Sequence, residues 1–85
     1  MRIKKIVLEK TVQEKILLKH GVRREEIEHG LLEGKPRFFR AKDGKYMAIS
    51  SYNRYLTIIF GYEGKNAAIV TAYESSDWQK RWYKR

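Results

Sequence analysis

Apolar side chains in the first part of the chain recur at helical spacing. Val12 and Ile16 are four residues apart, which predicts a first helix that ends at about residue 19. Ile27 and Leu31 repeat this spacing and predict a second helix over about 23–32. The segment that precedes both helices, RIKKIVL, has the character of a short first strand.

The first helix also has sequence signals at its two limits. The run TVQE predicts a capping box, in which Thr11 accepts a hydrogen bond from the backbone and Glu14 reaches back. Gly21 is placed to end the helix, because glycine readily adopts the left-handed conformation that follows the last helical turn.

The spacing of apolar residues changes to two in the second half of the chain. Two strand-like runs, RFFRAK and KYMAIS, flank Asp43-Gly44, which is a strong signal for a tight β-hairpin. Two further strands are predicted at YLTIIFGY and AAIVTAY. Both of their faces are apolar, so we expect them at the centre of the sheet.

The last segment, SSDWQKRWYKR, is predicted to form a C-terminal helix. Ser75 or Ser76 would cap it, and Trp78 and Trp82 share one face because they are four residues apart. Tryptophans at this spacing are more typical of packing than of ligand contact, so we expect them to hold the helix on the sheet. The cations around them would then be fixed on a rigid element.

The order of these elements predicts an α+β fold in a single domain, residues 1–85. It consists of an N-terminal strand and two helices, then a four-stranded antiparallel meander and a C-terminal helix. The helices are expected on one side of the sheet.

The net charge is the most informative feature of the composition. The chain has 19 lysines and arginines against 10 aspartates and glutamates, a formal net charge of +9. The cations are concentrated in residues 35–54 and 78–85. A charge of this size favours a polyanionic partner such as nucleic acid, or an acidic protein, although it also serves solubility.

Several classes of protein are disfavoured by the composition. The chain has no cysteine, which excludes a disulfide framework and a thiolate metal site. Its two histidines match no metal-binding spacing, so no metal and no cofactor are expected. No apolar run is long enough to span a bilayer and the first residues lack a signal-peptide core. We therefore expect a cytoplasmic protein without a membrane partner.

The residue types present would suit metal-independent cleavage of RNA. Internal attack by a 2′-hydroxyl needs a base, an acid, and a cation beside the phosphate. The candidates are, for proton transfer, Lys19, His20, Tyr73 and Glu74 and, for the charge of the phosphate, Arg40, Arg54 and Arg81. A histidine at the end of a helix, as His20 is, can also serve only to contact the last carbonyl groups.

Aromatic and basic side chains are interleaved in the meander and the C-terminal segment. Aromatic rings stack on bases while lysine and arginine contact phosphates, which is how single-stranded RNA is commonly bound. The candidate nucleic-acid-binding residues are Arg37, Arg40, Lys42, Lys45, Tyr55, Lys80, Tyr83, Lys84 and Arg85.

A family resemblance adds to these patterns. The runs KHGV, KYMAIS and RYLTIIFGYEGKNAAIVTAY, with the short basic tail, resemble the BrnT-like toxins of type II toxin–antitoxin systems or a closely related domain family. The resemblance covers about residues 14–83. The matching positions are Lys19, His20, Gly21, Val22, Ala48, Ile49, Gly64, Ile69, Ala72 and Tyr83. Where the family has an arginine at the end of the last strand, this chain has Tyr73.

The resemblance implies a fold, an activity and a partner. These are a compact RelE-like fold, cleavage of RNA without a metal or cofactor, and neutralisation by a cognate antitoxin. It also implies Lys19 and His20 as site residues, with Tyr73 in the place of the missing arginine.

Two alternatives to an endoribonuclease remain open from the sequence. The same fold could bind RNA or DNA without cutting it, using the cations and aromatic rings alone. It could instead be a protein-interaction domain whose positive face meets an acidic partner, such as an antitoxin. A meander leaves edge strands that can pair with a second copy, so a homodimer is a further expectation.

Overall fold

The computed structural model describes residues 1–85 and contains a five-stranded sheet with three helices. The elements in chain order are β1 (Lys5–Val7), α1 (Lys10–His20), α2 (Arg24–Leu32), β2 (Arg37–Arg40), a 3-10 turn (Lys42–Gly44), β3 (Tyr46–Ser50), β4 (Leu56–Glu63), β5 (Asn66–Glu74) and α3 (Asp77–Lys84). The predicted α+β class and the predicted order of elements are confirmed.

The sheet differs from the prediction in its number of strands. Its order is β1-β5-β4-β3-β2, and the strands from β2 to β5 form the predicted antiparallel meander. The first strand joins the same sheet, parallel to β5, with Ile6 opposite Ala67. The sheet is therefore mixed, with one parallel pair and three antiparallel pairs. The helices α1 and α2 connect its two edge strands, β1 and β2. β4 and β5 lie inside it, as predicted.

The main core lies between the sheet and the first two helices. Ile16 of α1 and Ile27 of α2 are buried in one apolar cluster with Ile58 and Phe60 of β4. Gly30 allows α2 to approach β3 closely. A Cβ atom at this position would lie 3.2 Å from the Ser50 Oγ.

The third helix lies on the opposite face of the sheet, so the expectation that all helices share one side is wrong. Gln79 of α3 is only 2% exposed and contacts Thr57, Met47 and Tyr73. These side chains alternate along their strands with the residues that face α1 and α2, so they point away from the main core. The result is a three-layer arrangement with the sheet in the middle.

The expected anchoring of α3 by its tryptophans is confirmed only in part, because Trp82 alone packs on a side chain of the sheet. Trp82 contacts Phe39, with 5.2 Å between ring centroids, but Trp78 and Trp82 remain 45% and 37% exposed. Gln79 supplies the buried anchor instead. The Tyr83 hydroxyl adds a second attachment by donating to the Lys35 carbonyl at 2.9 Å.

The local sequence signals have mixed outcomes. Gly21 ends α1 with a φ of 64°, as predicted. The Asp43-Gly44 hairpin turn is confirmed, with both residues at positive φ. The capping box at Thr11 is wrong, because α1 begins at Lys10 and the Gln13 N–H donates to the Glu9 carbonyl. Thr11 therefore lies inside the first turn.

The two edges of the sheet are short strands. β1 has three residues and β2 has four. Pairing of an edge strand with a second copy stays a prediction. None of the three helices combines the length and the apolar character that crossing a membrane requires.

Candidate active site

The end of α1 brings His20 against β5. The centroid of the His20 ring lies 5.9 Å from that of Tyr73, with the two planes tilted by 51°. Lys19 and His20 are exposed and line an open groove together with Thr71 of β5. A proton-transfer group and a cation therefore lie at an accessible surface, with the half-buried ring of Tyr73 beside the histidine. The contact exists because α1 stops at Gly21 beside the end of β5.

Arg54 connects three elements directly behind this surface. Its Nη2 donates to the Gly21 carbonyl at 2.8 Å, and its Nη1 lies 3.8 Å from a carboxylate oxygen of Glu74. Nε and Nη2 also donate to the two carboxylate oxygens of Glu26, at 2.8 Å and 3.0 Å. The guanidinium thus ties the end of α1, the start of α2 and the end of β5 together.

The Arg54–Glu26 pair shifts the titration of both groups. The hydrogen bond from Arg54 holds the pKa of Glu26 below its ordinary value, against an opposing effect of partial burial. The same hydrogen bond raises the pKa of Arg54 above its ordinary value. Both groups are therefore charged at neutral pH, and Arg54 has few free donors left for a ligand.

The structure brings together all but one of the predicted catalytic residues. Lys19, His20, Arg54, Tyr73 and Glu74 lie around the junction of α1 and β5. Arg81 is exposed on α3 and forms no ion pair. No hydrogen bond or ring contact connects it to His20 or Tyr73.

Sequence reasoning missed Gln79, which is buried next to the candidate site. Its Nε2 donates to the Tyr73 hydroxyl at 3.1 Å. Its Oε1 accepts a hydrogen bond from the Ser76 backbone N–H at 2.9 Å, the contact of a helix capping box. The spacing Ser76-x-x-Gln79 is the signal that would have found it.

The candidate nucleic-acid-binding residues fall into two groups. One group surrounds the C-terminus of α3, where Lys84 Nζ lies 5.3 Å from the centre of the Tyr55 ring and Tyr83 contacts the same ring. The members of this group are Arg37, Tyr55, Tyr83, Lys84 and Arg85, while Lys80 lies in the first turn of the same helix. The other group lies at the β2–β3 hairpin and consists of Arg40, Lys42 and Lys45.

Arg37 has a structural partner within the first group. Its Nη1 lies 3.1 Å from the carbonyl oxygens of Trp82 and Tyr83 and 2.7 Å from that of Arg85. The guanidinium donates to carbonyl groups that have no partner within the helix. Its positive charge also interacts favourably with the negative end of the helix dipole.

We expect Arg37→Ala to lower the free energy of unfolding by about 1–2 kcal/mol, because α3 loses its C-terminal cap. Arg40→Ala is the matched control, since Arg40 is exposed at the other end of β2 and forms no ion pair. It should change stability by less than about 0.5 kcal/mol. Urea denaturation of both variants measures the difference, and equal losses would contradict the assigned cap.

Most of the positive charge is not neutralised by neighbouring carboxylates. Of the 19 lysines and arginines, only Arg24 and Arg54 form ion pairs. Arg37 binds the carbonyl groups at the end of α3, and the other cations form no ion pair that would compete with an external anion. Histidine, aspartate and glutamate side chains do not gather in groups of three or more that could hold a metal ion.

No protein-family model and no curated protein sequence matches the chain at a significant level. Among solved structures, the chain is similar to the Brucella abortus ribonuclease toxin BrnT, with a TM-score of 0.70 and 22% sequence identity. The match covers 86% of this chain and 97% of the BrnT chain.

The chain has a BrnT-like fold. The resemblance to BrnT that the motifs around KHGV indicated is therefore confirmed at the level of the fold. Because so few residues are identical, the likeness to BrnT establishes the architecture and not the activity. The function depends on what the His20–Tyr73 site can do.

Proposed function

We propose that this chain is a metal-independent ribonuclease toxin of a type II toxin–antitoxin system, acting on RNA in the cytoplasm and neutralised by a cognate antitoxin. The contact between the His20 and Tyr73 rings supports the proposal most directly, because it puts a proton-transfer group of an exposed groove beside a half-buried tyrosine. The BrnT-like fold and the largely unpaired positive charge agree with it.

The proposed reaction is internal transfer at a phosphodiester. His20 takes the proton of a 2′-hydroxyl, and the oxygen attacks the adjacent phosphorus to form a 2′,3′-cyclic phosphate. The bond from phosphorus to the 5′-oxygen breaks, and that oxygen receives a proton from the Lys19 ammonium. Tyr73 donates a hydrogen bond to a phosphate oxygen on which negative charge develops.

Arg54 and Glu74 have supporting roles in this proposal. Arg54 already binds Glu26 and the Gly21 carbonyl, so it fixes the end of α1 on which His20 lies. Glu74 contributes the weaker contact to Arg54 at 3.8 Å. Positioning of this kind matters because small displacements of a catalytic group cost large factors in rate.

The RNA chain would extend from the site to the cationic groups of α3 and of the β2–β3 hairpin, the latter at the other end of the sheet. The segments that hold the candidate residues around α3 and the β2–β3 hairpin contain few aspartates and glutamates. Contacts between their lysines or arginines and phosphates would give an affinity for RNA that falls with salt concentration. The same positive surface would suit an acidic region of an antitoxin, which would then compete with RNA.

A non-catalytic nucleic-acid-binding module is the second candidate. It is favoured by Trp78 and Trp82, which lie edge to face at 5.3 Å and keep large exposed areas among cations. Such rings can stack on bases whether or not the backbone is cut. In this case His20→Ala would leave both RNA binding and its salt dependence unchanged.

Induced expression in a bacterial host tests the proposed function. The wild-type chain should arrest growth and shorten cellular RNA within minutes of induction, and the His20→Ala variant should do neither. Co-expression of the adjacent reading frame, if it encodes the antitoxin, should restore growth. Normal growth with intact RNA at high levels of folded wild-type protein would contradict the proposal.

A further inference from the structure

The orientation of the buried Gln79 amide is fixed by its hydrogen-bond partners. Oε1 lies 2.9 Å from the Ser76 backbone nitrogen, which can only donate. Oε1 also accepts from the Thr57 hydroxyl at 2.9 Å and from the Ser76 hydroxyl at 3.2 Å. This end of the amide must therefore be the oxygen, so the other end is the NH₂ group.

The NH₂ group is directed at Tyr73 and Met47. It donates to the Tyr73 hydroxyl oxygen at 3.1 Å and to the Met47 sulfur at 3.6 Å. A further contact holds the oxygen end in place, since Ser75 Oγ and Thr57 Oγ1 are 2.8 Å apart. The Thr57 hydrogen is used on Gln79, so Ser75 donates to Thr57. Reversing the amide would leave several buried groups unpaired.

The orientation of the Gln79 amide determines whether the Tyr73 hydroxyl acts as a donor or an acceptor towards other groups. Its oxygen accepts a hydrogen from Gln79, and its own hydrogen has no acceptor among the protein atoms within hydrogen-bonding distance. A phenol has one hydrogen to donate. The free hydrogen is thus available to a ligand that reaches the half-buried Tyr73, whose ring contacts His20.

We propose that Gln79 is a positioning residue that makes Tyr73 a hydrogen-bond donor to a phosphate oxygen of bound RNA. This inference rests on the proposed function in one respect, namely that the ligand is RNA. Because Gln79 already orients the Tyr73 hydroxyl, this donor needs little reorganisation when negative charge develops on the phosphate oxygen.

The test is a double-mutant cycle measured by RNA binding. The variants are Gln79→Glu, Tyr73→Phe and the combination of both. A carboxylate at this position would accept from the Tyr73 hydroxyl, so the phenol would donate inward and the phosphate would lose its donor. The probe is a fluorescent RNA oligonucleotide fully 2′-O-methylated to prevent cleavage, and fluorescence anisotropy gives Kd.

Each single variant is expected to raise Kd about tenfold, since a hydrogen bond to a charged group contributes on this scale. The double variant should bind no more weakly than Tyr73→Phe alone, because Gln79 acts only through the hydroxyl. With unmodified RNA, both single variants should lower kcat more than they raise KM. If Gln79→Glu fails to fold, Gln79→Met replaces it in the same cycle, with a smaller expected loss of about threefold.

Two results would overturn the inference. One is unchanged binding in Gln79→Glu and Tyr73→Phe, and the other is an equal loss on mutating Gln79 whether or not the Tyr73 hydroxyl is present. The second result would mean that Gln79 acts through stability alone. Binding with the expected coupling but without cleavage of unmodified RNA would overturn the ribonuclease activity and support the positioning role.

Discussion

His20→Ala is expected to lower the rate of RNA cleavage by about 10²–10⁴-fold, the usual contribution of a general base. The imidazole is exposed beside Tyr73 and makes no buried contact, so its removal should leave the fold intact. The measurement is kcat/KM on a fluorescent RNA oligonucleotide, with a thermal melt on the same samples to verify folding.

His29→Ala is the matched control for this variant, because His29 is the only other histidine of the chain. It lies on α2, where it stacks on Tyr52 with 5.0 Å between ring centroids and pairs with Glu33. Its replacement should change cleavage less than about twofold. Equal activity of wild type, His20→Ala and His29→Ala would show that His20 is not the base.

Glu26→Gln is expected to lower the free energy of unfolding by about 1.5–3 kcal/mol at pH 7, the range for hydrogen bonds to charged groups. Glu26 is 12% exposed and accepts two hydrogen bonds from Arg54, which also contacts α1 and β5. Its charge therefore supports the junction at which the candidate site is formed. Urea denaturation of the wild type and the variant measures the loss.

The effect of Glu26→Gln should depend on pH in a defined direction. Arg54 lowers the folded-state pKa of Glu26, so the stabilisation is fully present above the unfolded-state pKa of about 4.3. It is lost as the pH falls through the lower folded-state pKa, where the wild type also becomes neutral at this position. The stability difference should thus shrink in acid.

Glu28→Gln supplies the control within the same helix. Glu28 pairs with Arg24 one turn away, and its side chain is 38% exposed. Exposed pairs of this spacing contribute only about 0.3–0.5 kcal/mol. Equal destabilisation by the two glutamine variants, or a loss on Glu26→Gln that does not vary with pH, would contradict the role given to the Arg54–Glu26 pair.

Several local patterns in the sequence predicted local structure correctly, although the capping box expected at Thr11 is absent. The four-residue repeats located α1 and α2, and Asp43-Gly44 located the β2–β3 turn, because these signals depend on neighbours along the chain. The parallel pairing of β1 with β5 was not predictable in this way. A three-residue strand has too few side chains to identify its partner.

The placement of α3 was predicted wrongly for a related reason. Trp78 and Trp82 have the spacing of a buried face, yet the buried residue is Gln79. Gln79 can be buried only because Thr57, Tyr73 and Ser76 satisfy its amide. Those partners lie on other elements or at the helix cap, so hydrophobicity alone could not reveal them.

Candidate site residues were recognisable by type, but their proximity was not. His20 and Tyr73 are far apart in the sequence and meet because α1 packs on β5. Arg54 was a candidate for contact with phosphate, and the structure gives it Glu26 as a partner from α2. Only the topology of the sheet determines which distant side chains share a surface.

The most direct measurement of the central claim is cleavage of RNA by the purified chain in the presence of a chelator. The substrates are one oligonucleotide in its natural form and the same sequence fully 2′-O-methylated. The account predicts that only the natural RNA is cut, with 2′,3′-cyclic phosphate termini, and that His20→Ala does not cut it. Intact natural RNA, or equal cleavage of the methylated strand, would contradict attack by the 2′-hydroxyl at this site.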